Sequence, residues 1–351
     1  MKFGPIPENP LERLALKMGK VPTPVLDVLF GPLKARVVMA SVRLGVVDAL
    51  AAAPATPAQL AAVLHLNEEC LEMLLRVLVH CEYVNSDRGL FSLSSLARRT
   101  LSPGAPMDRR SYVEWNYTQW GILGNLEELL RTGGGIDLHE TLRDPEAWRN
   151  YQRGMMENAR DHAAFLAAKV PVPKGARSLI DLGGSHGLLG AAVCRKHPPL
   201  HSTVLELESA LESARKLAKE EGIADVVSHK AADILKDDLG SDHDVALLAN
   251  ILHHFSPQQN ASLLKKVRQS LRPQGTIAIW EFERPKRDAK VSAGDAVALY
   301  FRLTSSASAY HGDEYTSWLR ATGFQSIRVV RPRLIPGYVL VWGGQSCLQA
   351  R

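Results

Sequence analysis

The sequence predicts an α/β chain: a doubly wound, mostly parallel sheet of seven strands, preceded by a small helical domain. Three observations carry this. Asp181-Leu182-Gly183-Gly184-Ser185-His186-Gly187 lies between an apolar run, Ser178 to Ile180, and a helical pattern, Leu188 to His197. That is a strand, a glycine turn and a helix. Downstream, strands and helices alternate, the mark of a parallel sheet with helices on both faces. Asp181, Glu206 and Asp233 stand at three successive strand ends, in register with the turn.

Glycine lets a ligand approach the backbone closely, because it lacks Cβ and tolerates φ > 0. The helix start beyond it offers free N–H groups. A dinucleotide fingerprint needs G-x-G-x-x-G. Counted from Gly183 it requires glycine at 185 and 188, where Ser185 and Leu188 stand. The other pattern present is an acid followed by small residues at alternate positions: Asp181, Gly183, Ser185, Gly187. Strand Ser202–Leu207 places Glu206 about 20 residues past the turn, where a carboxylate suits ribose hydroxyls. Glu208 is a weaker candidate. Strand Val226–Ala232 ends at Asp233, within reach of an adenine amino group. Strand Asp244–Leu252 leads into His253 and His254.

Ser256-Pro257-Gln258-Gln259 reads as a capped helix start, and that helix runs to Leu271. Pro273-Gln274-Gly275 turns into a fifth strand, Thr276–Phe282, with Glu281 near its end. Helices 293–308 and 314–322 and strands 324–331 and 338–342 close the chain. Ligands of such sheets bind at the carboxyl ends of the strands. Gly183, Glu206, Asp233, His253 and Glu281 all fall there.

Residues 11–50 are helical in pattern, with a continuous apolar helix expected over 33–53. Thr56-Pro57-Ala58-Gln59 reads as a helix start, and Asn67 caps a helix over Glu68–His80. Tyr83-Val84 and Leu90-Phe91-Ser92-Leu93 then read as a two-stranded wing, which completes a winged-helix pattern. A DNA-reading helix should carry Lys and Arg for phosphates. This one carries Glu68, Glu69 and Glu72 against Arg76, so no nucleic-acid partner is expected. Residues 106–170 are a helical connector rich in aromatics: Trp115, Tyr117, Trp120, Trp148 and Tyr151, with Met155 and Met156 beyond. These serve either as core or as an apolar substrate pocket. Gly133-Gly134-Gly135 breaks the segment, and a helix follows over 145–169. The expected domains are 1–105, 106–170 and 171–351.

With 46% hydrophobic and 23% charged residues, the composition is that of an ordinary globular protein. No apolar run reaches the ~20 residues of a membrane span, and the N-terminus lacks a secretory apolar core. A cytoplasmic protein without a membrane partner is therefore expected. Cys70, Cys81, Cys194 and Cys347 have no C-x-x-C spacing, so neither a disulfide framework nor a metal site is indicated.

These motifs together resemble class I S-adenosylmethionine-dependent small-molecule O-methyltransferases with an N-terminal winged-helix dimerisation domain. The group includes plant phenolic, hydroxyindole and bacterial polyketide enzymes. The residues that carry the likeness are Arg43–Leu50, the wing Leu90–Leu93, Asp181–Gly187, Ala232-Asp233-Ile234, Ile251–Ser256 and Glu281–Pro285. It implies a seven-stranded Rossmann-like methyltransferase domain preceded by an all-helical winged-helix dimerisation domain, and a homodimer through the latter. It implies S-adenosyl-L-methionine as cofactor, with S-adenosyl-L-homocysteine as product, held by Asp181, Gly183, Gly184, Ser185, Gly187, Glu206, Leu207, Asp233, Ile234 and Asn250. It implies His253 as general base and Glu281 as the carboxylate orienting it. The substrate pocket then draws on Trp115, Trp120, Met155, Met156 and His254.

Two positions depart from the family. His254 stands where Asp usually follows the base. Ala309-Tyr310-His311 stands where a second supporting acid often lies. The expected reaction is methyl transfer to a hydroxyl of a small aromatic or polyketide-like molecule. A sulfur, nitrogen or carbon acceptor needs no strong base and is the alternative, and a non-catalytic cofactor-binding protein is the second. If the strand continues through 254, His254 points away from His253. As a group that only orients the base, Glu281 is expected to tolerate Gln better than His253 tolerates Ala.

Overall fold

The computed structural model describes residues 4–143, 145–305 and 307–345; Cys347 lies outside them. The chain forms two compact units, 1–119 and 120–351, so the unit boundary falls inside the 106–170 stretch.

The first unit is helical apart from its wing. It contains α1 (Pro10–Lys17), α2 (Thr23–Arg43), α3 (Val46–Ala52), α4 (Pro57–Leu64), α5 (Glu68–His80), β1 (Val84–Asp87), β2 (Leu90–Leu93), α6 (Ser95–Leu101) and the start of α7 (Arg110–Leu123). Local chemistry sets these ends. Thr56 and Gln59 form a reciprocal capping box at α4, and Asn67 accepts from the Cys70 N–H at α5. β1 and β2 pair antiparallel from Val84↔Leu93 to Asp87↔Leu90. Val46, Leu50, Leu71, Leu75, Leu78 and Phe91 fill one core. The continuous helix expected over 33–53 is instead two helices. Gly45 at φ 74° reverses the backbone between α2 and α3, a conformation glycine adopts without the Cβ penalty.

The second unit begins with α8 (Leu126–Thr132), α9 (Leu138–Thr141) and α10 (Pro145–Lys169). The alternating part follows: β3 (Ser178–Leu182), α11 (Leu188–Lys196), β4 (His201–Glu206), α12 (Glu208–Glu220), β5 (Val227–Ala231), β6 (His243–Ala249), α13 (Pro257–Ser270), β7 (Leu271–Phe282), α14 (Ala293–Thr304), α15 (Gly312–Ala321), β8 (Gln325–Val330) and β9 (Tyr338–Gly344). The sheet order is β5-β4-β3-β6-β7-β9-β8. β3 to β7 are parallel, β9 runs antiparallel to β7, and β8 runs antiparallel to β9.

Alternate side chains of a strand face opposite sides of the sheet, and here both sides are covered. Ile180, Ala246, Leu248, Ile277 and Ile279 pack with Leu263, Val267 and Leu319 from α13 and α15. Leu179, Val245, Leu247, Ala278 and Trp280 pack with Leu166, Leu189 and Val193 from α10 and α11. A strand buried on both faces reads as an unbroken apolar run, as Val245 to Leu248 does. β7 starts earlier than Thr276: its pairing with β6 shifts register between His243↔Leu271 and Val245↔Thr276. The expected Pro273–Gly275 turn is absorbed there as an irregularity inside the strand.

The strand order reverses between β3 and β6, which pair with each other: the chain runs outward on one side from β3 through β4 to β5, and on the other from β6 to β7. Such a switch point opens a crevice at the carboxyl ends of the strands. Among the described residues no helix is long and apolar enough to cross a membrane.

Candidate active site and cofactor cleft

The glycine turn sits at that switch point. Gly183 (φ 64°) leaves β3, and a Cβ there would lie 2.7 Å from Ile251 Cδ1. Gly187 (φ 80°) caps α11, and a Cβ there would lie 2.7 Å from Val227 Cγ1. A Cβ on Gly184 would lie 2.6 Å from Asp181 Oδ1 and closer still to the rest of that carboxyl. The turn is thus pressed onto the sheet from three sides. Residues 183–185 stay half-buried. With two glycines and a Ser185 whose Oγ is buried, what they present is backbone. Gly184→Ala is expected to cost roughly 1–3 kcal/mol of stability by overpacking, measured by denaturant unfolding. A wild-type midpoint would refute the crowding beneath the turn.

Asp181 lies below the turn, 1% exposed, rather than on its open side. Burial, with the Glu206 charge added, pushes its pKa up to about 7. His186 is buried in the turn, and its Nδ1 accepts the Leu188 N–H at 3.0 Å. Burial, with His229 and Arg160 nearby, lowers its pKa to about 3, so this imidazole is neutral.

Glu206 ends β4 and reaches across to the turn. Its Oε2 accepts the Ser185 N–H at 3.0 Å, and its Oε1 accepts the Leu207 N–H at 2.9 Å. Burial raises its pKa while these two bonds oppose the rise. Each oxygen keeps a second lone pair. Asp233 follows β5. Its Oδ1 accepts the Leu235 N–H at 3.0 Å, and its Oδ2 pairs with Lys236 at 2.8 Å. Ile234 is buried in the core and Leu207 is 39% exposed. Asn250 follows β6 with φ 54°, and its N–H bonds the Trp280 carbonyl at 2.8 Å.

β6 ends at Ala249, and His253 sits not on the strand but in one 3-10 turn, Leu252–His254. Two β7-directed bonds force that turn. Glu281, fully buried, accepts the Ile251 and Leu252 N–H groups on Oε1 at 2.7 and 2.6 Å. Its Oε2 meets His253 Nδ1 at 2.8 Å. An ionised carboxylate only accepts, so Nδ1 carries the proton and Nε2 keeps the free lone pair. Phe301 of α14 stacks on the His253 ring at 4.1 Å. Ser305 Oγ donates to the His253 carbonyl at 3.1 Å.

His254 does not point away from His253, as strand geometry would require: their ring centres are 4.2 Å apart. His139 of α9 lies 4.6 Å from the His254 ring. It stacks parallel to Trp148 at 5.7 Å, and its Nε2 is 3.4 Å from the Tyr151 hydroxyl. The sequence reading noted Trp148 and Tyr151 only as aromatics, and it missed His139 and Phe301. Nothing local marks the contacts that His139 makes with His254 and Phe301 with His253, since each joins two segments far apart in the chain. Met155 and Met156 lie on α10, the second buried. Trp120 is 37% exposed on α7; Trp115, 1% exposed, belongs to the first unit. At the position of the missing second acid, the Tyr310 hydroxyl donates to the Phe255 carbonyl at 2.6 Å.

The glycine turn and the Glu206 carboxylate thus stand at the switch point, and a carboxylate-held histidine follows β6. Residues 121–325 match the O-methyltransferase domain and residues 26–103 the O-methyltransferase dimerisation domain. The chain belongs to the O-methyltransferase family and is an S-adenosylmethionine-dependent enzyme. It is 29% identical to the 3-hydroxy-5-methyl-1-naphthoate 3-O-methyltransferase of Streptomyces sahachiroi, over 88% of this chain and 91% of the relative. It is 30% identical to the mitomycin biosynthesis 6-O-methyltransferase of Streptomyces lavendulae, over 73% of this chain and 76% of the relative. The fold matches human N-acetylserotonin methyltransferase in complex with SAM at TM-score 0.81 and 19% identity, covering 96% of this chain and 98% of that one.

The residues present suit that cofactor. The 183–185 backbone offers a surface without side chains, and Glu206 keeps free lone pairs beside it.

Proposed function

We propose that this enzyme methylates a hydroxyl of a small aromatic or polyketide-like molecule, with His253 as general base and Glu281 holding it. The observation that carries the reading is the Glu281 carboxylate, anchored by two backbone N–H groups and bonded to His253 Nδ1 at 2.8 Å. S-adenosylmethionine supplies an electrophilic methyl group when bound. A phenol titrates near pH 10, so only ~0.1% is ionised at pH 7. His253 Nε2 takes the hydroxyl proton as the oxygen–methyl bond forms. The resulting imidazolium is stabilised by Glu281 through Nδ1–H. Gly183–Ser185, Glu206, Leu207, Asp233 and Asn250 hold the cofactor, with Asp181 supporting the turn from below. Residues 120–170 contribute pocket walls, Trp120 and Met155 among them.

The direct test is transfer of labelled methyl from S-adenosylmethionine to a panel of phenols, thiols and amines. Transfer confined to thiols or amines, with a rate that ignores pH between 6 and 8, would replace the hydroxyl by sulfur or nitrogen.

We also propose a homodimer through residues 1–105. Along α2, Val25, Val28, Leu29, Phe30 and Leu33 are 48–76% exposed, an apolar stripe of the kind that marks an interface. The wild type is expected to be a dimer at micromolar concentration by light scattering, and Leu29→Glu with Phe30→Glu to give a folded monomer. A monomeric wild type, or a dimer untouched by both changes, would refute the interface.

A further inference from the structure

The cofactor turn holds a residue in a conformation that its side chain disfavours. The Gly187 N–H bonds the Gly184 carbonyl at 2.9 Å, and the first residue inside that turn is Ser185, at φ 51°. A positive φ at such a place is usual for Gly, Asn or Asp. For other L-residues the left-handed conformation brings Cβ against a carbonyl oxygen, which shifts the balance away from it roughly 5–30-fold. Asn and Asp offset this with a local side-chain hydrogen bond. The Ser185 hydroxyl is buried and has no partner among the described residues, so the offset has to come from outside the residue.

Two neighbouring strands supply it. The Ser185 N–H donates to Glu206 Oε2 at 3.0 Å, from the end of β4. The Ser185 carbonyl meets His229 Nε2 at 3.0 Å, from β5. A carbonyl only accepts, so Nε2 carries the proton. The N–H belongs to the planar peptide group before the Ser185 Cα, and the carbonyl to the one after it. With both groups held, φ and ψ of this residue are fixed together. His229 stands opposite Val204 on β4, which stands opposite Asp181 on β3; its ring therefore reaches over β4 to the turn. Val227, two residues earlier and so on the same face of β5, puts its Cγ1 where a Cβ on Gly187 would be 2.7 Å away. β5 thus grips the turn twice, by packing at Gly187 and by a hydrogen bond at Ser185.

We propose that His229 is a positioning residue of the cofactor site: by holding the Ser185 carbonyl opposite Glu206, it keeps a serine in the left-handed conformation that lays the 183–185 backbone open to S-adenosylmethionine. This rests on the reading of that backbone as the cofactor cradle. Without His229 the serine relaxes toward φ < 0, and the Ser185–His186 peptide group turns out of place. A glycine populates φ > 0 about as readily as φ < 0, so a glycine at 185 does not need the histidine. Positions 185 and 229 are therefore energetically coupled.

The experiment uses the full-length enzyme with S-adenosylhomocysteine as the probe, its binding measured by calorimetry, and KM for S-adenosylmethionine and kcat measured separately. His229→Leu is expected to weaken binding about 10-fold, as the loss of one net hydrogen bond gives. The loss should appear in KM and not in kcat. His229→Gln offers an amide N–H at similar reach and should stay within about 3-fold of the wild type. His229→Asn is one methylene shorter and should match leucine; it carries the test if the leucine variant does not fold. The deciding comparison is a double-mutant cycle: added to Ser185→Gly, His229→Leu should cost only about 2-fold or less. Wild-type affinity in both His229→Leu and His229→Asn overturns the inference. So does an equal loss in the serine and glycine backgrounds, or a glutamine no better than leucine, the ranking that mere space-filling gives. Glu206→Ala separates this inference from the cradle reading. If Glu206→Ala loses affinity while His229→Leu keeps it, the cradle stands and the inference falls. If both bind as the wild type does, the cradle reading falls with it.

Discussion

Replacing His253 with alanine is expected to leave affinity for S-adenosylmethionine nearly unchanged and to lower turnover ~10²-fold or more, the contribution of a positioned general base. The loss should shrink as pH approaches the acceptor's own pKa, because the substrate then ionises unaided. Steady-state rates from pH 6 to 10, with cofactor affinity measured separately, test both halves. Near-normal turnover with a flat profile would mean that the acceptor needs no deprotonation.

The structure changes what Glu281→Gln should do. Read from sequence, Glu281 only orients the base, and its amide should cost less than losing His253. In the fold, Oε1 is committed to the Ile251 and Leu252 N–H groups. A glutamine must keep its carbonyl there, which turns its NH₂ toward His253 Nδ1. Nδ1 then has to accept, and Nε2 carries the proton. The base is present but in the wrong tautomer, a reversal that costs ~10⁴ in kcat where an amide replaces a catalytic histidine's carboxylate partner. The amide is therefore expected to be at least as damaging as His253→Ala. A mild Glu281→Gln defect would refute this tautomer argument.

The second large effect concerns Glu206→Ala. Hydrogen bonds to a charged group contribute about 1.5–3 kcal/mol, so cofactor affinity should fall roughly 10–150-fold. On the proposed reading two losses coincide: the cofactor loses a carboxylate acceptor, and the Ser185 N–H, bonded to Oε2 at 3.0 Å, is released. Calorimetry with S-adenosylhomocysteine reads the affinity, and kcat at saturating cofactor should change little. Wild-type affinity in Glu206→Ala would remove this residue from the cofactor cleft.

Most of the scaffold was legible because its signals are local. The α10 helix, Pro145–Lys169, and the caps at Asn67, Thr56 and Ser256 appear where caps and periodicity put them. Strand ends carrying Glu206 and Asp233 were likewise readable from apolar runs. The errors fall where tertiary bonds override local pattern. In the sequence the strand pattern of β6 reads on into Ile251-Leu252, but Glu281 captures those two amides and turns the chain. A period of two then assigns His254 the wrong side. His139 was illegible for a different reason: its contact with the His254 ring joins two distant segments, and no spacing along the chain records that.

The end of α14 has a consequence for how this family member could change acceptor. Arg302 bonds the Gly133 carbonyl, Ile136 N–H bonds the Leu303 carbonyl at 2.8 Å, and Gly135 lies so close that any Cβ would strike the Arg302 and Ser305 carbonyls. Ser305, one residue past the end of α14, donates its hydroxyl to the His253 carbonyl. The segment Gly133–Ile136 that leads to His139 and the turn bearing His253 are thus both tied to the end of α14. An insertion between Gly133 and Ile136 would have to break the contacts that tie this segment to the end of α14. Divergence toward new acceptors is left to substitution of side chains at fixed backbone length.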